Sequence, residues 1–87
     1  MAQILVAESD RQIREFIAGI LTDFGHDVTA CGDGTEAAAL LAIEPIDVLV
    51  TDLVLCGGEV ATLSRHCAAH GMRWTPIVRQ PEPFVKV

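Results

Sequence analysis

Two short apolar runs, Ile4-Leu5-Val6-Ala7 and Val48-Leu49-Val50-Thr51, are each followed at once by an acid, Glu8 after the first and Asp52 after the second. Neither run alternates apolar with polar residues as a strand with one wet face would, and both are too short for a helix, so they read as strands buried on both faces. Two-sided burial is the mark of a parallel sheet with helices packed above and below it. In such a sheet the carboxyl ends of the strands lie together, so acids far apart in sequence converge on one crevice.

The segments between and after the runs supply the helices that such a sheet needs. Ile13, Phe16, Ile17, Ile20, Leu21 and Phe24 recur at i, i+3, i+4, i+7, i+8 and i+11, the period of an amphipathic helix. Ser9 or Asp10 supplies an N-cap and Gly25 stands where a left-handed C-terminal cap is wanted, which predicts a helix over about 10–24. A short strand over 28–31 leads into a Gly32-Asp33-Gly34 turn and an alanine-rich helix over about 35–43, ended by Pro45. The second buried strand covers 46–51, with Asp47 at its entry. Cys56-Gly57-Gly58 reads as a loop, and 59–70 as a helix with Val60, Leu63 and Cys67 on one face and Gly71 at its close. Residues 75–78 offer a fourth strand with Pro76 at its start, where a missing amide donor is tolerated. Residues 79–83 are an extended segment, and 84–87 are apolar enough for a last strand. A parallel crossover takes roughly a dozen residues. The last strand must therefore turn back as a hairpin, stay extended, or add to another subunit. The order β-α-β-α-β-α-β implies an α/β fold with a parallel sheet and helices on both faces.

At 87 residues the chain is one domain at most, and a chain of this length buries only about 60–65% of its unfolded surface. Its apolar fraction of 51% is high for so small a unit, which fits two-sided strands or a partner-covered surface and leads us to expect a homo-oligomer. Net charge is −6 with only six Lys and Arg, so the basic footprint of a nucleic-acid binder is missing and no such partner is expected. No apolar stretch approaches the roughly 18–20 residues of a membrane span, and no basic segment leads into a signal-peptide core, so no membrane partner and a cytoplasmic location are expected. Cys31, Cys56 and Cys67 show no paired CxxC spacing and read as reduced, space-filling thiols.

Glu8 and Asp52 carry the chemistry. With the first and third strands adjacent, the two acids meet where the strand order reverses. Carboxylates this close repel, and a hard divalent cation such as Mg²⁺ is the natural neutraliser. A carboxylate beside Mg²⁺ can attack phosphorus, which would make Asp52 a phosphoryl acceptor. The plainer reading is that both are end-of-strand acids that solvate loops and cap helices. Gly32-Asp33-Gly34-Thr35-Glu36-Ala37 matches a G-x-G-x-x-A nucleotide fingerprint, but it follows the second strand and no acid stands about 20 residues on at a strand end. It is read as a turn and helix start. His66 and His70 share a helix face at i, i+4, as a metal pair does, yet with no third ligand identified a solvent-facing pair is favoured. Trp74 is expected over the strand edge and Thr75 at a strand start. No Ser or Cys has a recognisable activating base, so the chain is not expected to be an enzyme.

Ile4-Leu5-Val6-Ala7-Glu8-Ser9-Asp10, Asp33-Gly34-Thr35-Glu36-Ala37 and Pro45-Ile46-Asp47-Val48-Leu49-Val50-Thr51-Asp52 together resemble the receiver domain of bacterial two-component response regulators. The likeness covers about 3–78, and 79–87 would be an extended tail. It implies a flavodoxin-like parallel sheet in the order 2-1-3-4 with three helices, lacking the usual last helix-strand-helix portion. It further implies phosphorelay signalling: Mg²⁺-dependent transfer from a histidine kinase or phosphotransfer protein to Asp52, the match to the phosphoacceptor. Glu8, Asp52 and the backbone carbonyl of Val54 are the metal ligands so implied, with Ser9 or Asp10 as a further candidate.

The chain also departs from that pattern. Ser9 replaces the second acid of the pair that ends the first strand, and Asp10, one position late, is better placed to cap the helix. The position near Pro81 should hold a phosphate-reading Ser or Thr and offers no hydroxyl. Lys86 is a candidate phosphate contact but is followed by Val87 rather than Pro. These departures describe an atypical, shortened receiver. They also keep open the alternative of a phosphorylation-independent pseudo-receiver that acts as a dimerisation or interaction module, a homodimer through the free sheet edge and the C-terminal tail.

Overall fold

The computed structural model describes residues 1–52 and 60–77. The expected loop at Cys56-Gly57-Gly58, the extended segment at 79–83 and the last strand at 84–87 lie outside the described residues. The elements in chain order are β1 (Gln3–Ala7), α1 (Arg11–Asp23), β2 (Asp27–Cys31), α2 (Gly34–Ile43), β3 (Val48–Asp52), α3 (Val60–Ala69) and β4 (Arg73–Ile77). The strands form one sheet in the order β2-β1-β3-β4, with every neighbouring pair parallel. Fold class, strand order and the three helices are those expected from the sequence.

Local chemistry sets the helix ends. Asp10 caps α1 by accepting from the N–H groups of Gln12 and Ile13, two of the donors that a helix start leaves unpaired. At the other end Gly25 has φ 92°, a conformation that suits glycine. Its N–H donates to Thr22 O at 2.9 Å, and His26 N–H donates to Leu21 O at 3.1 Å. Asp33 caps α2 through a 2.7 Å bond from Glu36 N–H, so Gly32-Asp33-Gly34 is the turn and helix start it was read as. Gly71, at φ 65°, follows α3.

Two strands begin two residues away from their expected starts, and β2 begins one residue early, at Asp27. β3 begins at Val48 rather than at 46, because Asp47 brackets Gln3 instead of extending the ladder: Asp47 N–H donates to Gln3 O at 2.7 Å, and Asp47 Oδ2 accepts from Gln3 N–H at 2.8 Å. β4 runs Arg73–Ile77, so Pro76 is its fourth residue and Thr75 its centre, not its start. Among the described residues β4 is an edge strand, where proline is tolerated. Trp74 lies within it, 38% exposed.

Alternate strand residues point to opposite faces, and the two faces are unequally covered. Leu5, Ala7, Cys31 and Leu49 pack with Ala37 and Leu41 of α2 and with Leu63 and Cys67 of α3; Ile46, Leu40 and Met72 complete this core. On the other face Ile4 and Val6 are buried on the side that α1 covers, and α1 packs on β1 and β2. No residue of α1 is fully buried, and Phe16, Ile20 and Phe24 are exposed. Leu49→Ala should therefore cost about 2–5 kcal/mol, as deletion of a packed core side chain does, whereas Phe24→Ser should stay within about 0.5 kcal/mol of the parent. Urea unfolding followed by circular dichroism measures both.

Candidate functional site

The register decides which side chains meet. β1 and β3 pair from Ile4↔Val48 to Ala7↔Thr51, so the next residues along are Glu8 and Asp52, on strands about 4.8 Å apart. From β1 the chain crosses outward to β2, whereas β3 is followed outward by β4 on the other side. The acids therefore stand at the carboxyl edge where the winding direction changes, the position at which open α/β sheets bind ligands. Glu8 is 0% and Asp52 5% exposed, unusual for residue types that are almost never fully buried unless partnered.

Glu8 is anchored along its whole length. Its N–H donates to Cys31 O at 3.1 Å, carrying the contact between β1 and β2 one residue past the strand. Its carbonyl accepts from Arg14 Nη1 at 2.8 Å. Its Oε2 accepts from Asp10 N–H at 2.8 Å and from the Ser9 hydroxyl at 3.5 Å. Asp52 ends β3, and its carbonyl accepts from the buried Thr51 hydroxyl at 3.0 Å.

The sequence-derived candidates thus separate. Glu8 and Asp52 are neighbours in the sheet, and Ser9 sits against the Glu8 carboxylate. Asp10 instead spends Oδ1 on the cap of α1, at 2.9 and 3.1 Å from the N–H groups of Gln12 and Ile13. Val54, Pro81 and Lys86 lie outside the described residues. Two negative charges on neighbouring strand ends repel one another. Buried, hard carboxylate oxygens on adjacent strands are a donor set that suits Mg²⁺, which takes one or two carboxylates and keeps several waters. Among the described residues no group of three or more His, Cys, Asp or Glu side chains could hold a metal, so two carboxylates are what these side chains offer.

The remaining candidates are placed elsewhere. His66 of α3 and His70, the residue after its end, stack with ring centroids 4.2 Å apart, and His70 Nδ1 lies 2.9 Å from the His66 carbonyl. Cys31 and Cys67 are free and buried, as expected of filler, while Cys56 lies outside the described residues. Burial, with the charge of Glu36 second, pushes the Cys31 thiol up to about 11, against the opposing charge of Arg14. Burial likewise raises Cys67. Sequence reasoning missed Arg14 and the Asp47 bracket. Arg14 stands one turn after the Asp10 cap, its N–H donating to Asp10 O, a spacing that could have marked it as near the first acid.

No protein-family model matches the chain. It is 38% identical over 55 residues to the response regulator receiver protein CpdR of Brucella abortus, covering 63% of this chain and 46% of that protein. It is 30% identical over 60 residues to a putative response regulator NtrX-like of Rickettsia bellii, covering 69% of this chain and 13% of the relative. The chain spans less than half the length of the curated relatives it matches. Among solved structures it superposes on the Francisella response regulator 1452 receiver domain with a TM-score of 0.73 and 28% identity, over 83% of this chain and 60% of that one. The signal receiver domain of a modulated diguanylate cyclase from Desulfovibrio desulfuricans G20 shares the fold at a TM-score of 0.81 and 24% identity, over 94% of this chain and 68% of the other.

With its thiol raised to about 11, Cys31 has on the order of 10⁻⁴ of its population ionised at pH 7. Because the thiolate is the reactive form, Cys31 should resist iodoacetamide in the folded chain and react once urea unfolds it. Peptide mass mapping reads both states.

Proposed function

We propose, from the likeness of this chain to the receiver domains of response regulators, that Asp52 accepts a phosphoryl group, with Glu8 helping to hold Mg²⁺ and Ser9 as a weaker ligand. The observation that carries this reading is the burial of Glu8 and Asp52 side by side at the carboxyl ends of β1 and β3. Receiver domains in general work with histidine kinases or phosphotransfer proteins, so the proposed donor is a phosphohistidine. A carboxylate oxygen of Asp52 attacks phosphorus, the phosphorus–nitrogen bond of the donor breaks, and the departing imidazole nitrogen takes a proton from solvent. The product is an acyl phosphate on Asp52. Mg²⁺, when bound, supplies neutralising charge at the transferred oxygens. Glu8 holds its carboxylate at the site through the Asp10 N–H bond.

The carbonyl of Val54 as a further ligand and the Lys86 ammonium as a phosphate contact belong to the same proposal. So does the role of phosphoryl carrier in the cytoplasm, not an enzyme that turns over a metabolite, with no direct contact to nucleic acid or membrane. No helix among the described residues is long and apolar enough to cross a membrane.

A second reading rests on a different observation. Phe16 on α1 and Phe24 at its C-cap are 69% and 78% exposed, with Ile20 beside them in the helical period, and exposed apolar groups of this kind favour association. This supports an interaction module, homodimeric, that works without phosphoryl chemistry. Incubation with acetyl phosphate and Mg²⁺ separates the two. The intact mass should rise by one phosphoryl group, and Asp52→Asn should abolish the gain. An unchanged mass in the parent chain would transfer the function to the second reading, and a monomeric sedimentation profile would remove the homodimer.

A further inference from the structure

Arg14 lies one turn inside α1 and reaches back to the end of β1, where its Nη1 donates to the Glu8 carbonyl at 2.8 Å. Guanidinium-to-carbonyl bonds are charge-assisted and among the stronger ones available. The same nitrogen lies 3.0 Å from the point that a Cβ on Gly32 would occupy, with the guanidinium carbon at 3.8 Å. Gly32 does not have a positive φ, so its missing side chain serves space and not backbone conformation. It is the first residue after β2, next to Cys31, whose carbonyl accepts the Glu8 N–H. One guanidinium therefore fills a notch between the ends of β1 and β2, and the notch exists because residue 32 is glycine.

We propose that Arg14 is a positioning residue for the acidic pair: seated over Gly32, it fixes the Glu8 carbonyl and with it the 8–10 turn that carries the Glu8 carboxylate beside Asp52. This inference rests on reading Glu8 and Asp52 as a cation site, and it deepens that reading. A nearby guanidinium also has an opposite effect, since its charge repels Mg²⁺. Removing it tightens cation binding if charge is its whole role, and loosens binding if position is. Gly32→Ala separates the two further, because it displaces the guanidinium while keeping the charge.

The test uses the full 87-residue chain as parent, Arg14→Ala, Gly32→Ala and the double variant, followed by NMR amide exchange and Mg²⁺ titration. Each single change should speed exchange at the Glu8 and Asp10 amides by about tenfold and weaken Mg²⁺ binding several-fold, with Leu5 and Leu49 unaffected. The double variant should be no worse than the more affected single, because both changes act on one contact. Tighter Mg²⁺ binding in Arg14→Ala, unchanged exchange at Glu8 and Asp10, or a uniform rise that includes Leu5 and Leu49 would each overturn the proposal. If the parent chain binds no Mg²⁺, the cation site itself is lost, and the exchange measurement alone still decides whether Arg14 sets the turn.

Discussion

The in-register parallel pairing of β1 with β3 is the constraint on which the rest of the molecule depends. Because side chains alternate along a strand, a slip of one residue would move Leu5 and Leu49 away from the α2/α3 core and bring Ile4 or Val48 into it. The same slip would part Glu8 from Asp52. Core and site are thus fixed by one choice of register, and the apolar contacts that reward the correct pairing also hold two acids where they repel. The Asp47 bracket on Gln3 pins the opposite end of the same pair of strands, so the register is held at both poles.

Burying a carboxylate without partners is expensive, and the site meets that cost with backbone and hydroxyl donors close in sequence. Asp10 N–H reaches the Glu8 carboxylate while the Asp10 side chain turns the other way to start α1. The helix start and the acid are therefore built from the same three residues. This arrangement also explains why an acid at position 10 does not stand in for one at position 9: its oxygen is committed to the helix. Ser9 keeps a hydroxyl against Glu8, a neutral group where a third negative charge would have added to the repulsion.

Much of this was legible in the sequence because it rests on local patterns. The unbroken apolar runs gave buried strands, the 3.6-residue period gave α1, and Asp10, Gly25 and Gly71 marked helix ends by well-understood backbone chemistry. The acid pair followed from topology once the strands were placed. What escaped depends on contacts between segments. The start of β3 moved because Asp47 bonds to Gln3, and β4 began earlier because partnership with β3, not its own composition, sets its extent. Arg14 and Gly32 are unremarkable apart; the space that joins them exists only after β1, β2 and α1 are assembled.

The thin packing of α1 has a thermodynamic corollary. With none of its side chains fully buried, α1 is held on β1 and β2 by partly buried contacts, and an opening that releases such a helix can be sub-global rather than complete. Arg14 rides on that helix, so each undocking of α1 also withdraws the guanidinium from the Glu8 carbonyl. The helix and the acidic turn share one opening equilibrium. Any contact that favours the docked helix, including one made on the outer side at Phe16 or Phe24, orders the turn by the same free energy, and reciprocally a cation that steadies Glu8 keeps α1 seated.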